Sequence, residues 1–221
     1  MKLLKGRLSL CAEYVREGSR LADIGTDHGY LPIALCQSGR IPSALACDIN
    51  PLPLGSAAQN IRESGLSDRI ETRLSDGLAE IGADEVDDIV IAGMGGELIA
   101  AILENCPWVK DASKRLILQP MTRHDALIRR LYENGFCIEK QGAVFDSKKV
   151  YTVLCVRYDG APKKCGVYEA NVGRLSTDSE AEIAFLRKCL DKLKKQEKGD
   201  PSLSPVITKM EELLSCQASE K

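Results

Sequence analysis

The sequence predicts an α/β protein with a seven-stranded Rossmann-like sheet and a C-terminal antiparallel helical hairpin. Three observations predict this fold. Short apolar strands alternate with helical patterns as far as residue 135, two strands then follow one another directly, and apolar residues beyond residue 176 recur at helical spacing. Alternating strands and helices are typical of a parallel sheet covered on both faces, whereas consecutive strands with a short connection favour an antiparallel hairpin at a sheet edge.

Five short apolar runs predict the parallel strands, at residues 20–24, 43–49, 70–74, 88–92 and 114–118. The helices predicted between and after them cover residues 31–38, 54–64, 97–105 and 123–134. Three of these helices are followed by a glycine, which readily adopts the left-handed conformation that ends a helix. The remaining strands, at residues 136–144 and 150–158, are predicted to form the edge hairpin.

The composition changes after residue 160. One apolar stripe at intervals of 3, 4 and 3 predicts a helix with a narrow seam, formed by Ile183, Leu186, Leu190 and Leu193. A break at Gly199-Asp200-Pro201 precedes a second stripe over residues 206–214. We therefore expect a sheet domain over residues 1–160 and a helical, coiled-coil-like appendage over residues 161–221.

The composition is typical of a cytoplasmic globular protein. Hydrophobic residues make up 44% of the chain, no apolar run is long enough to span a membrane, and the charged N-terminus lacks the apolar core of a signal peptide. Nine cysteines without a C-x-x-C pair, together with two histidines, indicate reduced structural thiols and no metal site. The net charge of −2 argues against wholesale capture of a polyanion but allows local basic patches.

Loops that contain glycines and acids follow four successive strands. After the first strand the chain reads DIGTDHGY over residues 23–30, a glycine turn that opens a helix and lets backbone N–H groups approach a ligand. The acid Asp48 ends the second strand, where a carboxylate commonly binds ribose hydroxyls. Four such loops in order predict a nucleoside-cofactor site. The predicted cofactor-binding residues are Asp23, Gly25, Thr26, His28, Gly29, Asp48, Ile49, Asp76, Gly77, Gly93 and Met94.

Asp27 stands at the centre of the first turn, where a dinucleotide-binding turn would have a glycine. A carboxylate there would repel a pyrophosphate, which argues against NAD and a nucleotide-dependent oxidoreductase. S-adenosylmethionine has no phosphate and carries a sulfonium and an ammonium group, with which an acid is compatible. The turn and the terminal strand hairpin therefore favour methyl transfer.

The motifs DIGTDHGYLP, ACDIN, SDGL, IAGMGG and LILQPM together resemble the bacterial tRNA adenine-22 N1-methyltransferases. The resemblance covers residues 1 to about 158, and the helical appendage is similar in kind to that family's coiled-coil appendage. It implies a class I methyltransferase sheet, S-adenosylmethionine as cofactor, tRNA as partner, and methylation of adenine N1 at position 22. Methylation of another RNA site or of a small molecule stays open, as does a cofactor- or RNA-binding module without catalysis.

The loop after the fourth strand fits the chemistry of a ring nitrogen. Methylases of exocyclic amines commonly carry an Asn/Asp-Pro-Pro-aromatic loop there, whereas this chain has Ala92-Gly93-Met94-Gly95-Gly96. Adenine N1 has an in-plane lone pair and needs no base to become a nucleophile. A carboxylate would stabilise the positive charge that forms on the ring. We therefore assign a catalytic role to Asp27; the alternative is that Asp27 caps the following helix.

The predicted substrate-binding residues combine loop residues, an aromatic ring and cations. Each has a plainer alternative: Tyr30 stacks on a base or packs against the sheet, Gln119 contacts a ligand or satisfies a loop backbone group, and the appendage lysines contact RNA or form a solvated face. The full set is Tyr30, Gly95, Gly96, Gln119, Pro120, Arg123, Lys148, Lys192 and Lys195. The helical seam packs within one chain or between two, so we expect a monomer or a weak dimer.

Overall fold

The computed structural model describes residues 4–215, and it contains the predicted seven-stranded sheet. The strands are β1 (Leu21–Ile24), β2 (Ala44–Asp48), β3 (Ile70–Leu74), β4 (Asp88–Gly95), β5 (Arg115–Thr122), β6 (Phe136–Asp146) and β7 (Lys149–Tyr158). Their order in the sheet is β3-β2-β1-β4-β5-β7-β6. Strands β1 to β5 are parallel, and β6 and β7 form an antiparallel hairpin that joins the sheet through β7. The predicted α/β Rossmann-like fold is confirmed.

Helices cover both faces of this sheet. They are α1 (Gly6–Tyr14), α2 (Tyr30–Gln37), α3 (Pro51–Glu63), α4 (Gly96–Glu104), α5 (His124–Glu133), α6 (Val167–Val172), α7 (Glu180–Glu197) and α8 (Ser204–Ser215). Alternation along β4 separates the two cores: Ile89 and Ile91 pack with α4 and α5, whereas Val90 packs with α1, α2 and α3. All three side chains are fully buried, as a parallel strand in the middle of a sheet requires.

Two helices were not predicted from the sequence. Helix α1 begins after Lys5, which makes no side-chain capping hydrogen bond, and its mixed polar and apolar residues give little periodicity. Helix α6 has six residues, which is too short for an apolar period to be recognised. Both are held by packing on the rest of the chain, which local sequence patterns do not reveal.

Strand β4 runs further than predicted. The sequence suggested that it would end at Ala92, before the glycines, but it continues to Gly95 beside β5 with register shifts at Met94. Glycine tolerates such irregular pairing because it has no side chain to clash. The β6–β7 connection is also tighter than expected, since Asp146 pairs with Lys149 and leaves a two-residue turn at Ser147-Lys148.

The appendage packs on the sheet hairpin. The predicted seam on α7 is buried at Leu186 and Leu193, and these residues share a core with Val150 of β7 and Met210 of α8. The predicted domains extend over residues 1–3 and 216–221, which lie outside the described residues. Within residues 4–215, no helix is long and apolar enough to cross a membrane.

Candidate active site

The loops after β1, β2, β3 and β4 lie at one edge of the sheet, at the carboxyl ends of its parallel strands. In register, Ile24 at the end of β1 lies beside Cys47 of β2 and Ile91 of β4. Asp48 at the end of β2 lies beside Leu74 of β3. The topology therefore brings the predicted cofactor-binding loops to a common edge, where open α/β sheets bind ligands.

The turn between β1 and α2 is built from left-handed residues. Gly25, Asp27 and Gly29 have φ angles of 75°, 52° and 69°. This conformation costs a residue with a side chain about 1 kcal/mol, although aspartate tolerates it better than most. Gly29 is the N-cap residue of α2, and no side-chain hydrogen bond caps that helix. Asp27 stands two residues before this N-cap position, and its side chain is 67% exposed.

An aromatic pair lies beside Asp27. His28 Nε2 is 3.6 Å from Asp27 Oδ2, and the His28 ring stacks on Tyr30 with centroids 5.1 Å apart and 22° between the planes. Asn60 of α3 donates from Nδ2 to the carbonyl oxygen of His28 at 2.9 Å, which ties the turn to the next helix. The turn thus presents a carboxylate next to flat rings, a combination suited to a planar base that gains positive charge.

Asp23 is the buried acid of the site. Its Oδ2 accepts a hydrogen bond of 2.7 Å from Thr26 Oγ1. Burial raises the pKa of Asp23 to about 6, the Thr26 hydrogen bond offsets part of this shift, and the charge of Asp48 adds to it. A carboxylate that has lost its water gains most from a cation brought next to it. An ammonium group in the site would supply that cation.

The ends of β2 and β3 combine a buried acid with exposed apolar side chains. Asp48 is buried, and its Oδ1 accepts the N–H of Asn50 at 2.8 Å. Beside it, Ile49 is 57% exposed and Leu74 is 53% exposed. Asp76, in the loop after β3, is exposed and is followed by Gly77 with a φ angle of 58°. Apolar surface flanked by carboxylates fits the faces and polar edges of a nucleoside.

Gln119 supports the glycine loop at the end of β4. This glutamine is fully buried, its Oε1 accepts the N–H of Gly93 at 3.1 Å, and its Nε2 donates to the carbonyl oxygen of Pro120 at 3.0 Å. Of the two roles that the sequence left open, the structure gives Gln119 the support of a loop backbone group. A Cβ on Gly93 would meet nothing within 4 Å, and its φ angle is 82°, so its backbone faces open space.

Other residues of the same loop are packed. A Cβ on Gly25 would lie 2.5 Å from Met94 Cε, so Met94 closes over the first turn. A Cβ on Gly96 would lie too close to the carbonyl oxygen of Arg123, so the start of α4 presses against the loop before α5. Gly95 is half-buried. Of this set, Gly93 leaves the most room for a ligand.

A cleft of about 230 Å³ opens over the first turn. Its walls include Asp23, Asp27 and Gly93, together with Arg7 and Leu8 from α1. Sequence reasoning missed both α1 residues, because neither belongs to a recognisable motif. Asp48 and Asp76 do not line this cleft, so the predicted cofactor site extends beyond it along the sheet edge.

The predicted substrate-binding cations differ in their exposure and in their ion-pair partners. Arg123 forms an ion pair of 3.0 Å with Glu97 and is 54% exposed, and Lys148 is exposed in the β6–β7 turn. Lys192 is paired at 3.0 Å with Asp125, so it ties the appendage to α5. Lys195 is exposed and forms no ion pair with another residue of the range 4–215.

The geometry fits S-adenosylmethionine. Asp23 can balance a buried ammonium group, the open backbone at Gly93 leaves room for a close approach, and Asp48 with Ile49 fits a ribose and an apolar ring. Among residues 4–215, no group of three histidine, cysteine or acidic side chains is placed to hold a metal ion.

Comparison with known proteins matches the chain to methyltransferases. A family model described as "Methyltransferase domain" matches residues 4–154. The tRNA (adenine(22)-N(1))-methyltransferase of Bacillus subtilis is 36% identical over 200 residues, which are 87% of this chain and 82% of that protein.

Two solved structures extend the match over nearly the whole fold. One is a candidate tRNA (m1A22) methyltransferase of Streptococcus pneumoniae in complex with S-adenosyl-L-methionine, with 37% identity, a TM-score of 0.82, and coverage of 94% of this chain and 98% of that one. The other is the m1A22 tRNA methyltransferase of Bacillus subtilis, with 28% identity, a TM-score of 0.76, and coverage of 97% of each chain. The resemblance read from the motifs is confirmed, and the chain belongs to the bacterial tRNA (adenine-22-N1)-methyltransferase family.

Proposed function

We propose that the protein transfers a methyl group from S-adenosylmethionine to N1 of adenine 22 in tRNA. The observation that carries the proposal is Asp27: its carboxylate is exposed at the cleft, it stands outside the N-cap position of the helix that follows, and it lies beside the stacked rings of His28 and Tyr30. An exposed acid held in a left-handed turn is costly to keep without a ligand, which supports a functional role.

The cofactor would lie along the carboxyl edge of the sheet. Asp23 would balance the ammonium group, and the backbone of the first turn, at Gly25, Thr26 and Gly29, would approach the amino-acid part. Asp48 would bind the ribose, with Ile49 against the adenine. The remaining predicted contacts, in the same loops, are His28, Asp76, Gly77, Gly93 and Met94. When bound, S-adenosylmethionine supplies an electrophilic methyl group on a sulfonium.

The residues of the chain have two tasks in this reaction. They hold the target adenine so that N1 lies in line with the methyl carbon and the sulfur, because orientation supplies much of the rate. Asp27 would accept a hydrogen bond from the exocyclic amine and offset the charge that forms on the ring. No proton has to leave N1, so no side chain is needed as a general base.

The tRNA would cross the cleft and reach the cations around it. Tyr30 would stack on a base, and Arg123, Lys148 and Lys195 would contact phosphates. Gly95, Gly96 and Pro120 would shape the wall of the base pocket, and Lys192 would act mainly through Asp125. The apolar seam of α7 is buried within one chain, which supports a monomer. Because tRNA is modified in the cytoplasm, a cytoplasmic location is part of the proposal.

The test is to incubate the purified protein with S-adenosylmethionine and unmodified tRNA and to map methylated nucleosides by mass spectrometry. We expect 1-methyladenosine at position 22 and none in a matched tRNA with guanosine there. A product at another position would correct the target. The absence of any methylated nucleoside, with cofactor binding intact, would contradict the catalytic role.

A further inference from the structure

Arg7 brings a positive charge to a cleft that is otherwise acidic. Among the described residues that line the cleft, Arg7 is the only lysine or arginine, and Asp23 and Asp27 are the acids. Both ligands of the proposed reaction also carry anionic oxygens: the methyl donor has a carboxylate and the tRNA has phosphates. Acids alone would repel these groups, so a cation in the cleft has an evident use.

The position of Arg7 is fixed by the β6–β7 turn. Arg7 Nη1 donates to Asp146 Oδ2 at 2.8 Å. The preceding residue, Gly6, has a φ angle of 54°, and a Cβ there would lie 2.7 Å from Asp146 Cγ. The guanidinium also lies 5.9 Å from the centre of the Tyr151 ring. These contacts hold the side chain in one place before any ligand arrives.

The Arg7 guanidinium has an N–H donor that is not used within the described residues. Its Nε is buried and has no hydrogen-bond partner among the described residues. A buried donor without an acceptor is unfavourable, and a surface ion pair returns less than this cost. A fork with one donor engaged and others unused is the arrangement that binds carboxylate or phosphate oxygens.

We propose that Arg7 binds an anionic oxygen group of a ligand in the cleft, either a phosphate of the entering nucleotide or the carboxylate of the methyl donor. Asp146 is a positioning residue that orients the guanidinium. The inference rests on the proposed methyl transfer. One observation favours the phosphate: Lys148 in the β6–β7 turn and Lys149 at the start of β7 are both exposed and follow Asp146 closely in the chain, so further cations stand near the one that Arg7 contributes.

The competing role for Arg7 is a structural tie between α1 and the hairpin. Arg7→Ala and Asp146→Ala both break this tie. If Arg7 is only a tie, the two variants should behave alike. If Arg7 binds a ligand, Arg7→Ala should lose affinity about tenfold or more, whereas Asp146→Ala, which keeps the guanidinium, should lose about threefold or less.

The experiment measures binding in separate arms on the full-length protein. Calorimetry compares S-adenosylhomocysteine with 5′-methylthioadenosine, which lacks the amino-acid part. Filter binding measures unmodified tRNA without cofactor over a range of salt concentrations. A carboxylate contact predicts that Arg7→Ala weakens S-adenosylhomocysteine only. A phosphate contact predicts weaker tRNA binding and a salt dependence that falls by about one unit of slope.

Arg157→Ala is the matched control, because it also breaks an arginine–carboxylate pair, to Glu139 at 2.9 Å, and lies opposite Cys137 at the other edge of the sheet. We expect it to bind both ligands like the wild type. The inference is overturned if Arg7→Ala matches the wild type in both arms, or if Asp146→Ala loses as much affinity as Arg7→Ala. Failure of the proposed function itself would show separately, as a wild-type protein that binds but does not methylate tRNA.

Discussion

The cleft and the appendage both carry charged side chains, but they use them differently. In the cleft, Asp27 keeps a 67% exposed carboxylate in a strained turn. In the appendage, Lys192 and Lys194 are paired with Asp125 and Glu211, at 3.0 and 2.5 Å. The ion pairs of the appendage hold its elements together, whereas the exposed carboxylate of Asp27, 3.6 Å from His28 Nε2, stays accessible to a ligand. A count of basic residues along the sequence cannot separate these cases.

Asp27→Asn should have the largest effect on activity. Asparagine tolerates the left-handed conformation and leaves α2 unchanged, but it cannot offset the charge that forms on adenine. We expect kcat for tRNA methylation to fall about 100-fold while the melting temperature and the affinity for S-adenosylhomocysteine stay as in the wild type.

Asp191→Asn, on the exposed face of α7, is the matched control and should keep full activity. If Asp27→Asn methylates at the wild-type rate, the exposed carboxylate is not catalytic, and its exposure does not mark a functional charge.

The sequence predicted residues whose position follows from topology. Asp48 ends β2 and Gly93 lies near the end of β4, and the carboxyl ends of parallel strands meet at one edge, so the alternation of strands and helices was enough. Arg7 was missed because its contact with Asp146 spans 139 residues and belongs to no motif.

Roles were harder to predict than positions. Both Gln119 and Lys192 were singled out from the sequence, yet only the direction of each side chain shows that Gln119 holds the Gly93 N–H and that Lys192 faces Asp125. Side-chain direction depends on packing between distant elements, which periodicity and spacing do not encode.

A buried titratable group at the appendage and another in the cleft should change the stability with pH in opposite directions. His124, the first residue of α5, packs against the appendage, with Nε2 3.5 Å from Cys189 Sγ and its ring edge-on to Phe185. Burial lowers the pKa of His124 to about 4, from an ordinary value of 6.5, and the charge of Asp125 opposes this shift.

Because the unfolded chain takes up the proton first, acidification from pH 6.5 to 4 should remove about 3 kcal/mol of stability through His124. His124→Gln should abolish this part of the pH dependence, measured by denaturant unfolding at pH 7 and pH 4.5. If the variant loses stability on acidification as steeply as the wild type, the appendage interface does not contain the titrating group.

In the cleft, the pH dependence of stability that Asp23 contributes should have the opposite sign, and Asp23→Asn should remove it. The folded pKa of Asp23 is raised to about 6, so the folded protein holds the proton longer and stability falls as the pH rises from about 4 to 6. We expect the variant to be about 2 kcal/mol more stable than the wild type at pH 7 and no more stable at pH 4.

The same variant should bind S-adenosylhomocysteine more weakly, because it has no charge to balance the ammonium group. A gain in stability at neutral pH together with a loss of affinity is the expected mark of an acid kept for a ligand. Equal stability of the two proteins at pH 7 would show that Asp23 carries no burial penalty.

The smallest effects on stability and tRNA binding are expected for two lysines of α7, one paired within the fold and one exposed. Burial of Asp125 acts to raise its pKa, but the hydrogen bond and charge of Lys192 outweigh it and lower that pKa. Lys192→Ala should therefore reduce the free energy of unfolding by about 0.5 kcal/mol and leave tRNA affinity nearly unchanged.

Lys195→Ala should leave stability unchanged and weaken tRNA binding about threefold, with a lower salt dependence. Equal loss of tRNA affinity in both variants would mean that an internal ion pair does not withdraw a lysine from RNA, whereas no loss in either would leave the appendage with a purely structural role.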